Sequence, residues 1–105
     1  MDEIAKEGNP KKKTTEEPLS KLDEIRLAFS ITDKDAINLI FQIGESKHRW
    51  RKGKTLEVKM GLSETELAKL SRNNPEVFER GQLSGGEIGY RMKSKYEAIY
   101  KSKII

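Results

Sequence analysis

Eight consecutive residues, Lys47-His48-Arg49-Trp50-Arg51-Lys52-Gly53-Lys54, carry five positive side chains and no negative one. Arginine and lysine at this density pair with phosphate, and an indole among them can stack on a sugar or a base. The plain alternative is a solvated loop whose Trp50 packs into the core between the first helices. A second set of polar residues follows at helical spacing: Ser63, Thr65, Lys69 and Arg72, interrupted by Glu64 and Glu66. Carboxylates repel DNA unless they accept from a cytosine amine or cap a helix, so this set is chemically mixed.

Other chemistries find little support. There is no cysteine, which excludes thiolate metal sites, cysteine nucleophiles and disulfides. His48 has no second histidine at ligand spacing, so no metal is expected. Ser84-Gly85-Gly86 lacks the lysine and following helix of a phosphate-cradling loop. No serine, histidine and acid fall into an arrangement that would activate a nucleophile. A non-enzyme without a cofactor is expected.

The chain has 105 residues, enough for one small domain. Charged residues make up 36% and hydrophobic ones 34%, but the apolar positions are periodic. Net charge is +4; Met1 to Pro18 holds four lysines against five acids, which leaves the rest at +5. The part expected to fold is therefore the basic part, compatible with a polyanionic partner. No apolar run approaches the roughly 20 residues of a membrane span, and Asp2, Glu3 and Glu7 do not suit a signal peptide. A cytoplasmic protein, on the nucleoid if it binds DNA, is the expectation.

Residues 1–18, with GNPKKKTTEEP and no aromatic, read as a disordered charged arm; Lys11, Lys12 and Lys13 fit a solubilising tail better than a phosphate-contacting one. Residues 19–105 read as a single domain. Ser20 can cap a helix with Leu22, Ile25 and Phe29 on one face, although Ile25 to Ile31 also alternates as a strand would. A second helix is expected to be capped by Thr32, with Asp33 and Asp35 in its first turn and Ala36, Ile37, Ile40, Phe41 and Gly44 as its apolar stripe. Thr55 to Met60 is open between helix and strand. Ser63 and Glu66 have capping-box spacing, and Asn73-Asn74-Pro75 ends the helix they begin. Val77 and Phe78 are expected in the core. Arg80 to Leu83 and Glu87 to Lys93 flank two glycines as a hairpin, with Ile88, Tyr90 and Met92 on a packed side and Gly89, Arg91 and Lys93 on a basic one. Ser94 and Glu97 have capping-box spacing for a last helix bearing Tyr96, Ile99, Tyr100 and Ile104 on one side.

Helix, basic connection, helix, Gly61-Leu62-Ser63 turn, helix, hairpin, helix: over Thr32 to Ile105 this order resembles a winged helix-turn-helix domain, mainly α with a small β-hairpin. Leu56, Met60, Leu62, Leu67 and Leu70 match the apolar positions of the motif and Gly61 its turn glycine. Glu57 departs from it, standing where the family prefers a small residue. The resemblance implies that the helix 63–73 enters the major groove of double-stranded DNA with Ser63, Glu64, Thr65, Ala68, Lys69 and Arg72 outward. It also implies that Arg49, Arg51, Lys52 and Lys54 hold phosphates, as a sequence-specific transcriptional regulator would. The wing cations Arg80, Arg91, Lys93 and Lys95, whose charges are expected to line one side, fit a grip on the neighbouring minor groove or backbone slightly better than a solvated hairpin. The last helix is a candidate homodimer contact, or packs on its own domain. Two rivals stand beside this reading: a winged-helix module that binds a protein, and an accessory domain that binds nucleic acid without sequence preference.

Overall fold

The computed structural model describes residues 20–105; the arm expected over residues 1–18 lies outside them. Five helices and three short strands follow in the order α1 (Lys21–Phe29), α2 (Lys34–Gly44), β1 (Arg51–Lys52), α3 (Gly53–Met60), α4 (Glu64–Asn73), β2 (Phe78–Gln82), β3 (Ile88–Met92) and α5 (Ser94–Lys103). The fold is mainly helical with a small antiparallel sheet, in a winged-helix-like arrangement.

The first helix is capped as its sequence requires, with Ser20 Oγ accepting from the Asp23 N–H at 3.2 Å, and Ile25 to Ile31 does not form a strand. The cap of α2 differs from expectation. Asp33, not Thr32, holds it, its Oδ1 accepting from the N–H groups of Asp35 (2.9 Å) and Ala36 (3.4 Å). A carboxylate there also faces the positive end of the helix dipole. Its buried stripe is Ala36, Ile37, Leu39, Ile40 and Ile43, while Phe41 is only half-buried. Leu39 and Ile43 were not in the expected stripe because α2 is covered on more than one side, by α1, α4 and α5.

Thr55 to Met60 is helical, resolving that ambiguity. The helix is one of only eight residues, and Gly61 ends it in the left-handed region, φ 69°, with its N–H on the Glu57 carbonyl at 2.8 Å. Leu56 and Leu67, both 0% exposed, carry the core contribution of α3 and α4. Burying each side chain is worth about 1.5–3 kcal/mol. The capping box of α4 is complete: Ser63 Oγ accepts from the Glu66 N–H (3.1 Å), and the Ser63 N–H donates to Glu66 Oε1 (2.9 Å).

The sheet has three strands, in the order β1-β3-β2, where only the hairpin was expected. Arg51 pairs with Tyr90 and Lys52 with Gly89, so the end of the basic run is an edge strand rather than a loop. Phe78, buried as expected, begins β2 opposite Met92. Tyr90, Met92 and Phe78 face the core. The last helix has no capping box: Lys93 precedes it without a side-chain cap, and Glu97 turns to Arg49 at 3.5 Å. Its apolar side packs on its own domain, with Tyr100 and Ile104 buried and Tyr96 stacked on Phe29 at 5.5 Å between centroids.

Candidate nucleic-acid interface

The two candidate sets of residues occupy different parts of the surface. On α4, Glu64, Thr65, Lys69 and Arg72 are exposed, but Ala68, expected outward, is buried, and so is Ser71. The turn of the helix puts both against the body of the domain, narrowing the outward strip. Ser63 is exposed, but its hydroxyl and N–H serve the capping box. The Ser63 N–H, and after it the Ser63 hydroxyl, lower the Glu66 carboxyl below its ordinary value of 4.5, so Glu66 acts as a cap and stays charged. Lys69 lies in a shallow hollow with Asp33, Asp35 and Glu66.

The start of α4 faces the wing across a groove lined by Lys54, Glu57, Glu64, Glu87 and the wing glycines Gly85 and Gly86. Three carboxylates therefore meet one lysine where the helix and wing converge. Glu57, whose place in the motif was in question, is half-buried here beside the short α3. Its neighbours across the groove, Glu64 and Glu87, are 7 and 30 residues away in sequence, so the sequence alone did not group them.

The cations of the hairpin do not line one side, contrary to expectation. Arg80 stands opposite Tyr90 and donates from Nε to its hydroxyl at 3.1 Å, whereas Arg91 stands on the other face of the sheet opposite Glu79. Side chains alternate between faces along a strand, which separates 80 from 91 in this register. Arg91 is paired with Glu79 at 2.7 Å, and Lys95 lies over the Tyr96 ring at 5.8 Å. Lys93 is exposed at the foot of the hairpin, and the turn at its tip, Ser84 to Gly86, carries no cation.

The basic run follows the β1 edge from α5 towards the wing. Arg51 is the exception among its cations: Nη1 donates to the Gln42 carbonyl at 2.8 Å, tying the edge strand to the end of α2. Arg49 and Lys52 meet Glu97 and Glu87 only loosely, at 3.5 and 3.6 Å, with their own side chains 59% and 64% exposed. Such solvated pairs are worth about 0–1 kcal/mol and exchange readily for phosphate. Lys47, His48 and Lys54 are exposed as well.

Trp50 is not between the first helices. It lies on the outer face of the sheet, over Gly81, with the Arg91 guanidinium 5.4 Å from its ring centre. Leu83 covers Gly89 on the same face. Together with Lys47, His48, Arg49, Arg51, Lys52 and Thr55 these two side chains line an open groove of about 600 Å³. No local pattern marks Leu83 as a neighbour of Trp50; recognising β1 as a strand would have put Trp50 and Lys52 on one face.

The chain matches no family model and no curated protein. Its fold is similar to that of a solved structure described as a possible transcriptional regulator from Methanosarcina mazei Go1, with 21% identity, a TM-score of 0.49, and coverage of 78% of this chain and 74% of that one. Among the described residues no helix is long and apolar enough to cross a membrane.

Proposed function

We propose that the chain binds double-stranded DNA as a small sequence-specific transcriptional regulator of the cytoplasm. The helix α4 enters the major groove, where Thr65, Lys69 and Arg72 reach bases and backbone, and Arg49, Lys52 and Lys54 hold phosphates along the sheet edge. Arg51 and Arg91, each held by a partner within the domain, position that edge, and Lys93 reaches backbone from the foot of the hairpin. The observation that carries this reading is the basic segment at positions 47–54, with Lys47, Arg49, Lys52 and Lys54 exposed beside a mainly helical core.

Fluorescence anisotropy with a randomised duplex pool, and with duplexes selected from it, over a salt series tests the proposal. Binding at low salt that weakens steeply with added salt, and preference for the selected sequences, are expected. Absence of binding at low salt overturns it; equal affinity for all sequences overturns specific readout. Reversal of charge at Arg49 and Lys52 should flatten the salt dependence.

A second reading rests on Glu57, Glu64 and Glu87 in the groove between α4 and the wing. Like charges repel a duplex there, and a basic segment of a protein partner fits the same groove. A duplex titration without binding, together with loss of a lysine-rich peptide's binding on Glu64→Lys, would select this alternative. The apolar side of α5 is already occupied, so a homodimer through this helix would have to use its exposed side at Ala98, Lys101 and Ser102.

A further inference from the structure

The groove on the outer face of the sheet has a composition unlike that of its neighbours. Its lining is Lys47, His48, Arg49, Trp50, Arg51, Lys52, Thr55 and Leu83, with no carboxylate. Four other surface hollows each contain at least one acid: Glu97 beside Tyr100, Glu66 beside Lys69, Glu57 beside Lys54, Asp23 beside Leu22. The groove thus combines an apolar floor, made by an indole and a leucine, with a rim that carries four cations, Lys47, Arg49, Arg51 and Lys52, and lacks a carboxylate. Its volume of about 600 Å³ falls within the roughly 300–1,000 Å³ of ligand clefts.

The indole is also fixed in place. Its edge rests on Gly81, where a Cβ would come within 2.9 Å of the ring, and the Arg91 guanidinium sits over it at 5.4 Å. Glu79 neutralises Arg91 and holds it there, donor Nε to Oε1 at 2.8 Å. Trp50 nevertheless remains only half-buried. A half-exposed aromatic ring that is already ordered loses little freedom when a second ring stacks on it.

We infer that this groove binds single-stranded nucleic acid, an unpaired base stacking on Trp50 while Lys47, Arg49 and Lys52 take the flanking phosphates. A base within a duplex must leave its own stack to reach the indole, whereas an unpaired one is already free to do so. The site shares Arg49 and Lys52 with the duplex reading but does not rest on it, since α4 takes no part.

Trp50 is the only tryptophan in the chain, so its fluorescence reports the site directly. The full chain is titrated at low salt with oligo-dT, oligo-U, an abasic phosphodiester oligomer and anionic phospholipid vesicles. Saturable quenching by oligo-dT or oligo-U is expected. The abasic oligomer should bind more weakly and leave the fluorescence nearly unchanged. Trp50→Ala should weaken single-strand binding about tenfold, as the loss of one stacked base does, with native circular dichroism and melting retained. If that variant does not fold, the wild-type quenching and Trp50→Leu, which keeps apolar bulk without a ring, followed by anisotropy of labelled oligo-dT, decide the matter. Unchanged fluorescence on single-strand binding, or unchanged affinity in a folded Trp50 variant, overturns the inference. Quenching by vesicles alone would also overturn it and assign the groove to a lipid headgroup. Lys69→Glu with Arg72→Glu should abolish duplex binding and leave single-strand quenching intact, so the two readings fail separately.

Discussion

The ring of Tyr100 closes on Gly44 so tightly that a Cβ at Gly44 would lie 2.5 Å from Cζ and 2.6 Å from Cε1. This contact joins α5 to the end of α2. It also places the phenol hydroxyl where it donates to Glu45 Oε2 at 2.5 Å, with Lys21 on the same carboxylate at 3.1 Å. Three helices thus meet at one carboxylate.

Gly44→Ala is expected to destabilise the protein. Alanine is favoured over glycine within a helix by about 1 kcal/mol, but the buried ring, 1% exposed, has no room to retreat. Overpacking of this kind costs about 1–3 kcal/mol, so the net effect is a loss of up to about 2 kcal/mol. The urea midpoint, at unchanged slope, measures it.

The same cluster sets a pH dependence on both sides. The hydrogen bond from Tyr100, then that from Lys21, lowers the Glu45 carboxyl below its ordinary value of 4.5. A carboxyl lowered on folding adds stability above its unfolded value that disappears as the pH falls through the folded one. Burial, reinforced by the Glu45 hydrogen bond, raises the Tyr100 phenol above its ordinary 10.0. A phenol raised on folding adds stability present below 10 and lost as the pH climbs above it. Tyr100→Phe should therefore reduce the acid-side slope below pH 4.5 and remove the alkaline decline above pH 10 from this group. Melting curves from pH 3 to 11, compared between the two proteins, provide the check.

Ser63→Ala removes one half of a reciprocal cap. The Glu66 N–H loses its acceptor, and the loss of such a cap costs about 1 kcal/mol. Hydrogen exchange should accelerate first at the start of α4, and the melting temperature should drop while the fold is kept.

Removal of the carboxylates between α4 and the wing tests the balance of charge at the proposed duplex interface. Glu64→Gln and Glu87→Gln each delete a like charge from the groove that holds Lys54. Each should tighten duplex binding by about threefold at low salt, the scale of an exposed charge interaction. Anisotropy titrations measure this, and the gain should shrink as salt is added. A loss of affinity would mean that these carboxylates accept from the ligand instead.

The termini of the helices were largely legible because caps are local. Ser20 and the Ser63–Glu66 box depend on residues three apart, which a sequence places correctly whatever lies around them. The same spacing at Ser94 and Glu97 did not produce a box, because the helix begins with Lys93 as its N-cap and Ser94 already inside its first turn. At α2 the preceding chain lets Asp33 take the place expected for Thr32. A strand of two residues leaves no period to read; β1 exists because β3 offers an open edge beside it.

The sequence by itself determined the helices α2 and α4, the hairpin, the turn at Gly61, and the concentration of positive charge at positions 47–54, because each depends on residues close together in the chain. Tertiary structure decided which side chains meet. It put Trp50 on Gly81 and under Arg91, separated Arg80 from Arg91, and gathered Glu57, Glu64 and Glu87 into one groove. Those encounters follow from strand register and from packing between distant segments. No local periodicity encodes them.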